Sequence, residues 1–249
     1  MKIAMWKIGS QAADLRVVTG SAAKLQFAVW RLLLFVKSKA NHYVSKQEEA
    51  VNPVRLLRRR GKRCIVSNMT YTPQHIANYF LDSAAQEGGR LSLLKLLKLI
   101  YIAYGWSLAL RNEKLFNEKI EAWQHGPVIP SIYHEFKHYG SSPIASRSVT
   151  VDFKEKDGKL NLDFQTPRVP DMDEDTIYIL DTVWKSYKDF TAWALRELTH
   201  QDGTPWRKVY RDGVRGIAMQ DEDIREHYVE RIGRYLEAAR ATEQERKAS

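Results

Sequence analysis

The residues with the clearest chemical potential are two histidines and a glutamate within five positions of one another. The stretch His134-Glu135-Phe136-Lys137-His138 matches the pattern H-E-x-x-H. In that pattern, two histidines four residues apart on one helical face bind zinc, and the glutamate acts as a general base. The spacing therefore makes a zinc metalloprotease the sharpest enzymatic interpretation of this sequence.

The surroundings of this motif argue against a zinc site. The helix that would carry it has only about one turn between Pro130 and His134, and it breaks at Gly140. A zinc protease needs a rigid, buried helix at this place. The extended metzincin pattern requires glycine and histidine where this sequence has Ser141 and Ile144.

The remaining candidates for metal or redox chemistry are equally sparse. Glu155 could supply a third zinc ligand, but it precedes a predicted turn in an exposed stretch. Cys64 is the only cysteine, which excludes an intrachain disulfide and a cysteine-rich zinc site and is typical of a cytoplasmic protein. We therefore predict that His134 and His138 lie on a solvated face and that the protein needs no metal or cofactor and is not an enzyme.

The charge of the chain is distributed very unevenly. The net charge is +9, yet residues 1–68 contain fourteen basic and three acidic residues, so the rest of the chain is slightly acidic. Clustered arginines such as Arg58, Arg59 and Arg60 could neutralise nucleic-acid phosphates, and such binding would weaken with salt. A nucleic-acid-binding repressor is therefore a second alternative, although no helix-turn-helix or aromatic stacking pattern accompanies the basic segment.

Two apolar stretches are candidates for membrane-spanning segments, and neither predicts insertion into a membrane. The run Leu25–Val36 is shorter than the ~20 residues that span a bilayer. The run Leu91–Leu110 is long enough but contains Lys95 and Lys98, each of which costs about 2.5 to 3.5 kcal/mol near the bilayer centre. We interpret the second run as a buried core helix and predict no membrane partner.

The elements that would position these residues are mainly helical. Thr72 can cap a helix whose first residue is Pro73, and Gly88-Gly89 ends it. The next helix, from Ser92 to Arg111, is apolar on nearly all sides and belongs at the centre of a bundle. Its polar side chains form one narrow stripe that can reach solvent or a partner: Ser92, Lys95 and Lys98.

The rest of the chain predicts short elements around that central helix. Alternating apolar residues near 149–165, with Asp157-Gly158 as the turn, predict one β-hairpin that needs a helical surface beneath it. The expected fold is mainly α: a compact helical bundle around a buried central helix, with one small β-hairpin. Further helices are predicted at Ser131–Tyr139, Asp173–Tyr187, Thr191–Thr199 and from Asp221 to about Ala241, with a frayed C-terminus.

Four stretches, in order and spacing, resemble the SocA-like antitoxin family, whose shared unit is the Panacea domain and which is also known as a phage-associated protein family. Leu97 and His125 replace residues that are more common in the family, glutamine and tyrosine. The four stretches are Ile76–Leu81, Leu96–Tyr101 continuing to Gly105-Trp106, Glu121–Pro130, and Leu198-Thr199-His200 followed by Pro205-Trp206.

This resemblance implies an antitoxin that neutralises a toxin, encoded by a neighbouring gene, through direct protein–protein contact. For some members it implies delivery of the toxin to a cytoplasmic protease. Trp123, Trp206 and the Gly-Pro pair are expected to hold the fold, whereas Lys98 and His200 are the better candidates for toxin contact. The full set of signature or partner-binding residues is Lys98, Tyr101, Trp123, His125, Gly126, Pro127, Pro130, Thr199, His200, Pro205 and Trp206.

Two parts of the chain are expected from these observations. Residues 69–249 form the Panacea antitoxin domain, and residues 1–68 form a basic extension that is either disordered or not translated. Met69 precedes the capped start at Thr72-Pro73, and the charge surplus ends just before it. We therefore expect the first 68 residues to be dispensable, with a nucleic-acid-binding arm as the competing interpretation.

Overall fold

The computed structural model describes residues 71–156, 159–167, 174–214 and 216–248. These residues form seven α-helices and two antiparallel strand pairs, so the predicted mainly helical fold is confirmed. In chain order they are α1 (Pro73–Gln86), α2 (Leu93–Arg111), β1 (Glu121–Trp123), β2 (Gly126–Val128), α3 (Pro130–Phe136), β3 (Thr150–Lys156), β4 (Lys159–Gln165), α4 (Glu174–Tyr187), α5 (Ala192–His200), α6 (Pro205–Val209) and α7 (Asp221–Ala248).

Helix α2 is the centre of the bundle, as its apolar composition predicts. It contacts α1, α3, α4, α5, α7 and strand β2, and every residue from Leu96 to Leu108 is buried. The Ser92 side chain caps its first turn, and Asn112 ends it in a left-handed conformation. By length and composition α2 could cross a membrane, but 78% of its apolar window is buried inside the protein.

Helix α7 packs against α2 at a glycine. A Cβ atom placed on Gly105 would lie 2.1 Å from the nearest ring atom of Tyr228, so only glycine leaves room for that ring. The buried Tyr228 ring also makes an edge contact with Trp106, at a centroid distance of 5.3 Å. Through this contact, the first turns of α7 pack closely against α2.

Strands β1 and β2 form a tight hairpin whose turn is Gln124-His125, because Trp123 pairs with Gly126. The segment before α7 adds to the outer edge of β1. There the Ala122 N–H donates to the Ile217 carbonyl, and the Met219 N–H donates to the Ile120 carbonyl, both at 2.8 Å.

The second hairpin, β3 and β4, is held at its base by one buried side chain. The Asn78 amide nitrogen donates to the carbonyls of Ser148 and Pro167, at 3.0 and 2.7 Å, and its oxygen accepts from the Ser148 N–H at 2.7 Å. Because Ser148 precedes β3 and Pro167 follows β4, Asn78 on α1 fastens both ends of the hairpin.

The apolar side chains of this hairpin correct one expectation. Val151 and Phe164, paired across the strands, are 39% and 66% exposed, and Leu162 is 52% exposed. These side chains therefore do not rest on a helical surface, although the alternating pattern predicts a buried face. Anchoring by Asn78 at the base replaces part of the packing that the strands lack.

Two other details differ from the sequence-based expectations. Helix α6 was not predicted, although Thr204-Pro205 repeats the start signal of Thr72-Pro73, and the Thr204 hydroxyl caps it. Helix α7 continues to Ala248 instead of ending near residue 241. The predicted turn Asp157-Gly158, the helix start at Asp173 and the basic segment 1–68 lie outside the described residues.

Candidate functional site at the start of strand β2

Most signature residues meet around the start of strand β2. Lys98, in the middle of α2, is fully buried, and its Nζ donates to the Pro127 carbonyl at 2.8 Å. Gly126 has a φ of +99°, and a Cβ there would lie 2.6 Å from Lys98 Nζ and 2.7 Å from Thr199 Oγ1. Glycine is thus required at this position both by backbone conformation and by space. The structure brings Lys98, Gly126, Pro127 and Thr199 into one packed cluster.

The burial of Lys98 determines its protonation. Desolvation lowers its pKa well below 10.5, and the nearby Arg196 guanidinium lowers it further by repulsion. An amine donates a hydrogen bond in either protonation state, so the bond to Pro127 does not need the charge. The predicted polar stripe therefore does not reach solvent at Lys98, and its partner is the protein's own main chain.

His200 joins the end of α5 to the turn of the first hairpin. Its Nδ1 lies 2.8 Å from the Arg196 carbonyl oxygen, and its Nε2 lies 3.2 Å from the Gln124 carbonyl oxygen. Burial lowers the pKa of His200, and the hydrogen bonds with the two carbonyls partly oppose this shift. Both ring nitrogens are thus occupied by internal contacts.

Trp206, on helix α6, packs against the cluster. Its indole N–H donates to the Trp123 carbonyl at 2.8 Å, and its ring lies 3.7 Å from the His200 ring, centroid to centroid. Pro205 occupies the first turn of α6, and the Thr204 hydroxyl lies 2.9 Å from the Thr199 carbonyl oxygen. These contacts tie α5, α6 and the β1–β2 hairpin together.

Three signature residues lie at the margin of this cluster. The half-buried Trp123 donates its indole N–H to Glu121 at 2.8 Å and meets the Tyr133 ring edge-on. Pro130 is the first residue of α3. Tyr101 lies on the side of α2 that faces α7, where it contacts the Tyr228 ring and where burial raises its pKa.

The exposed tip of the turn carries an aromatic surface. The His125 ring is exposed and meets the Trp193 ring edge-on at a centroid distance of 6.0 Å. Trp193 is itself 60% exposed, and the guanidinium carbon of Arg196 lies 5.4 Å from the centre of its ring. We name the surface formed by His125, Trp193 and Arg196 the tip surface.

Sequence reasoning identified His125 but missed Trp193 and Arg196. A signal was present, because Leu195 and Thr199, four residues apart, are buried on one face of α5. Trp193 and Glu197 share another face of the helix and are exposed. A tryptophan that does not lie on the apolar face of a short helix cannot pack into the core together with that face.

The zinc motif does not form a metal site within the described part of the chain. Helix α3 ends at Phe136, so His134 lies in an α-helix and His138 in the 3₁₀ turn Lys137–Tyr139; both side chains are exposed. His138 Nδ1 lies 3.0 Å from the Glu135 carbonyl oxygen. Among the described residues, no three His, Cys, Asp or Glu side chains are grouped closely enough to hold a metal ion.

Comparison with known proteins places a family match on the part of the chain that contains these residues. The family model described as "Antitoxin SocA-like, Panacea domain" matches residues 96–207, which include all of the signature cluster from Lys98 to Trp206. Antitoxin SocA of Caulobacter vibrioides (strain NA1000 / CB15N) is 32% identical over 143 residues, which cover 55% of this chain and 72% of the relative. No solved structure gives a significant match. On this similarity, the chain belongs to the SocA-like family of antitoxins that carry the Panacea domain.

Proposed function

We propose that this protein is the antitoxin of a toxin–antitoxin pair and that it neutralises its toxin by direct protein–protein contact. The observation that carries the proposal is its 32% identity to an antitoxin across 72% of that relative's length. The expected partner is a toxin protein encoded by a neighbouring gene. We infer a binding role and not an enzymatic one.

The geometry of the signature cluster supports binding. The two residues best suited to chemistry, Lys98 and His200, place their nitrogen atoms against main-chain carbonyls inside the protein. They hold the β1–β2 hairpin in a fixed position and leave its tip exposed. A preformed surface loses little conformational entropy on association, which favours tight binding.

The test is neutralisation in cells and binding in solution. Expression of the protein encoded by the adjacent gene alone should arrest growth, and coexpression of this antitoxin should restore it. The two purified proteins should elute together in gel filtration. A control variant, Lys137→Ala, changes an exposed residue outside the cluster and should rescue growth as well as the unchanged chain.

The same strains separate direct neutralisation from delivery to a protease. In direct neutralisation, the toxin half-life stays unchanged or lengthens when the antitoxin is coexpressed, and growth still recovers. In delivery, the toxin half-life shortens and rescue requires the protease. If no adjacent gene product is toxic, or if coexpression never rescues growth, the antitoxin proposal is wrong.

A further inference from the structure

We propose that the toxin docks on the tip surface formed by His125, Trp193 and Arg196, through a toxin segment that presents a carboxylate beside an apolar or aromatic side chain. This inference rests on the proposed antitoxin function. It adds the contact surface and the chemistry of the partner, neither of which follows from family membership.

The first argument is the aromatic area that the tip surface leaves uncovered. Trp193 is 60% exposed, although most tryptophans bury the larger part of their area. It is supported from below, since α5 packs on α2 and the turn beside it is held by Lys98 and His200. Tryptophan and arginine on a rigid support are the residues most often found at the energetic centre of protein interfaces.

The second argument is charge complementarity. Lys98, Arg196 and His200 are three basic groups near one another, and their mutual repulsion contributes to the lowered pKa of Lys98 and of His200. Arg196 forms an ion pair with Glu197, but the Glu197 side chain is 66% exposed and free to move away. Because the lowered pKa values favour the neutral forms of Lys98 and His200, the lasting positive charge here is that of Arg196, and a partner carboxylate would take the place of Glu197 beside it.

A third observation concerns the hydrogen bonding of Arg196. Within the described residues, its buried Nε atom has no hydrogen-bond partner. Arginine binds carboxylates best through two parallel N–H donors, and its two terminal nitrogens form such a pair. Nε itself is buried, so a toxin carboxylate would bind the terminal nitrogens in place of Glu197, while an adjacent apolar side chain covered the Trp193 ring.

The β3–β4 hairpin is the competing surface. Its apolar side chains at Val151, Leu162 and Phe164 are also exposed. Nothing in its described side chains indicates the chemistry of a partner, whereas the tip surface combines an aromatic ring with an arginine guanidinium. The experiment must therefore include a variant of the hairpin.

The experiment measures toxin affinity and growth rescue for three tip variants and two controls. Trp193→Ala and Arg196→Glu should each weaken toxin binding by at least about tenfold, and Arg196→Lys should have an intermediate effect because it retains charge but loses the planar donor pair. Two controls should bind like the unchanged chain: Val229→Ala, at an exposed position on α7, and Phe164→Ser, at an exposed position on the hairpin. Thermal unfolding of every variant verifies that the fold is retained.

The salt dependence of toxin binding measures independently how much electrostatic attraction contributes to the affinity. Binding by the unchanged chain should weaken between 50 and 500 mM salt, and this dependence should be lost or reversed in Arg196→Glu. If folded Trp193→Ala and Arg196→Glu proteins bind the toxin as tightly as the unchanged chain, the inference is wrong. The same holds if Phe164→Ser abolishes binding while the tip variants retain it. Failure of the unchanged chain to neutralise any adjacent gene product would instead refute the proposed function itself.

Discussion

At the scale of single residues, Lys98 makes the stability of the fold around Gly126 and Pro127 depend on pH. It is fully buried, its Nζ donates to Pro127, and its pKa is well below 10.5. Between that lowered pKa and 10.5, the unfolded chain binds more protons at this site than the folded protein does. Stability must therefore rise with pH through this window, because the free energy of unfolding follows the difference in bound protons.

We predict that Lys98→Met removes this pH dependence. The difference in unfolding free energy between the unchanged chain and the variant should shift by up to about 1.4 kcal/mol per pH unit in favour of the unchanged chain as pH rises. Loss of the donor to the Pro127 carbonyl adds a constant offset. Urea denaturation of both proteins at several values between pH 7 and pH 10 measures the difference, and a constant difference would contradict the assigned pKa direction.

Gly126 offers a second residue-scale prediction with a matched control. Gly126→Ala introduces a Cβ that would lie 2.6 Å from Lys98 Nζ, at a φ of +99°. Gly203→Ala has a similarly positive φ of +79°, but nothing lies within 4 Å of the new atom. We expect Gly126→Ala to destabilise the fold by about 1 to 3 kcal/mol more than Gly203→Ala, measured by urea unfolding. Equal losses would mean that the cluster accommodates the added atom.

At the scale of elements, the contact between α2 and α7 depends on the absence of a side chain at Gly105. A Cβ there would lie 2.1 to 2.6 Å from three atoms of the Tyr228 ring, whereas Gly233 in the same α7 has open space around it. Both glycines lie in helices, where alanine is intrinsically preferred by about 1 kcal/mol. The two positions therefore separate the packing contribution from helix propensity.

We predict opposite signs for alanine at these two glycines. Gly105→Ala should lower the melting temperature, because overpacking against a fully buried ring costs typically 1 to 3 kcal/mol and exceeds the gain in propensity. Gly233→Ala should raise it, by up to about 1 kcal/mol of stability. Calorimetry of the two variants tests the pair, and stabilisation by Gly105→Ala would show that α7 does not pack on α2 as described.

Asn78 is the element-scale anchor of the β3–β4 hairpin. Asn78→Ala removes three buried hydrogen bonds that join α1 to both ends of the hairpin. We predict faster amide hydrogen exchange in residues 150–165, with little change in α2, because the hairpin loses its attachment while the core remains packed. Ser83→Ala is the control, since its hydroxyl donates to the Tyr79 carbonyl within α1 and not to the hairpin. Unchanged exchange in the hairpin would show that other contacts hold it.

At the scale of the whole molecule, the charge surplus and the folded core occupy different parts of the sequence. The net charge of +9 comes from residues 1–68, whereas the buried core of the described residues runs from Ile76 to Tyr228. The family match, at residues 96–207, lies entirely within the second part. We therefore expect toxin neutralisation to reside in residues 69–249.

We predict that a shortened chain beginning at Met69 keeps the helical content and neutralises the toxin as well as the full chain. The physical reason is that the contacts described above for the signature cluster and for the tip surface join residues within it. Circular dichroism and growth rescue measure the two properties. Loss of a salt-sensitive interaction with DNA or toxin in the shortened chain would instead support a functional basic arm.

Local chemistry in the sequence determined much of this fold. The all-round apolar pattern placed α2 at the centre, and the caps at Thr72 and Ser92 set the starts of two helices within one residue. The alternation near 149–165 predicted the second hairpin correctly. These features depend on neighbours within a few positions along the chain, so their physical cause can be recognised without knowledge of the tertiary structure.

Only the tertiary structure decided which side chains are hidden and which are available to a partner. Lys98 has the same polar character as Lys95 on one helical stripe, yet it is buried because strand β2, with its acceptor Pro127 29 residues away, packs over it. Trp193 is exposed because no element in the described part of the chain covers that face of α5, and Asn78 acts through groups 70 and 89 residues away. Burial of a single side chain depends on contacts between distant segments, and the spacing of residues along the chain does not encode which segments will meet.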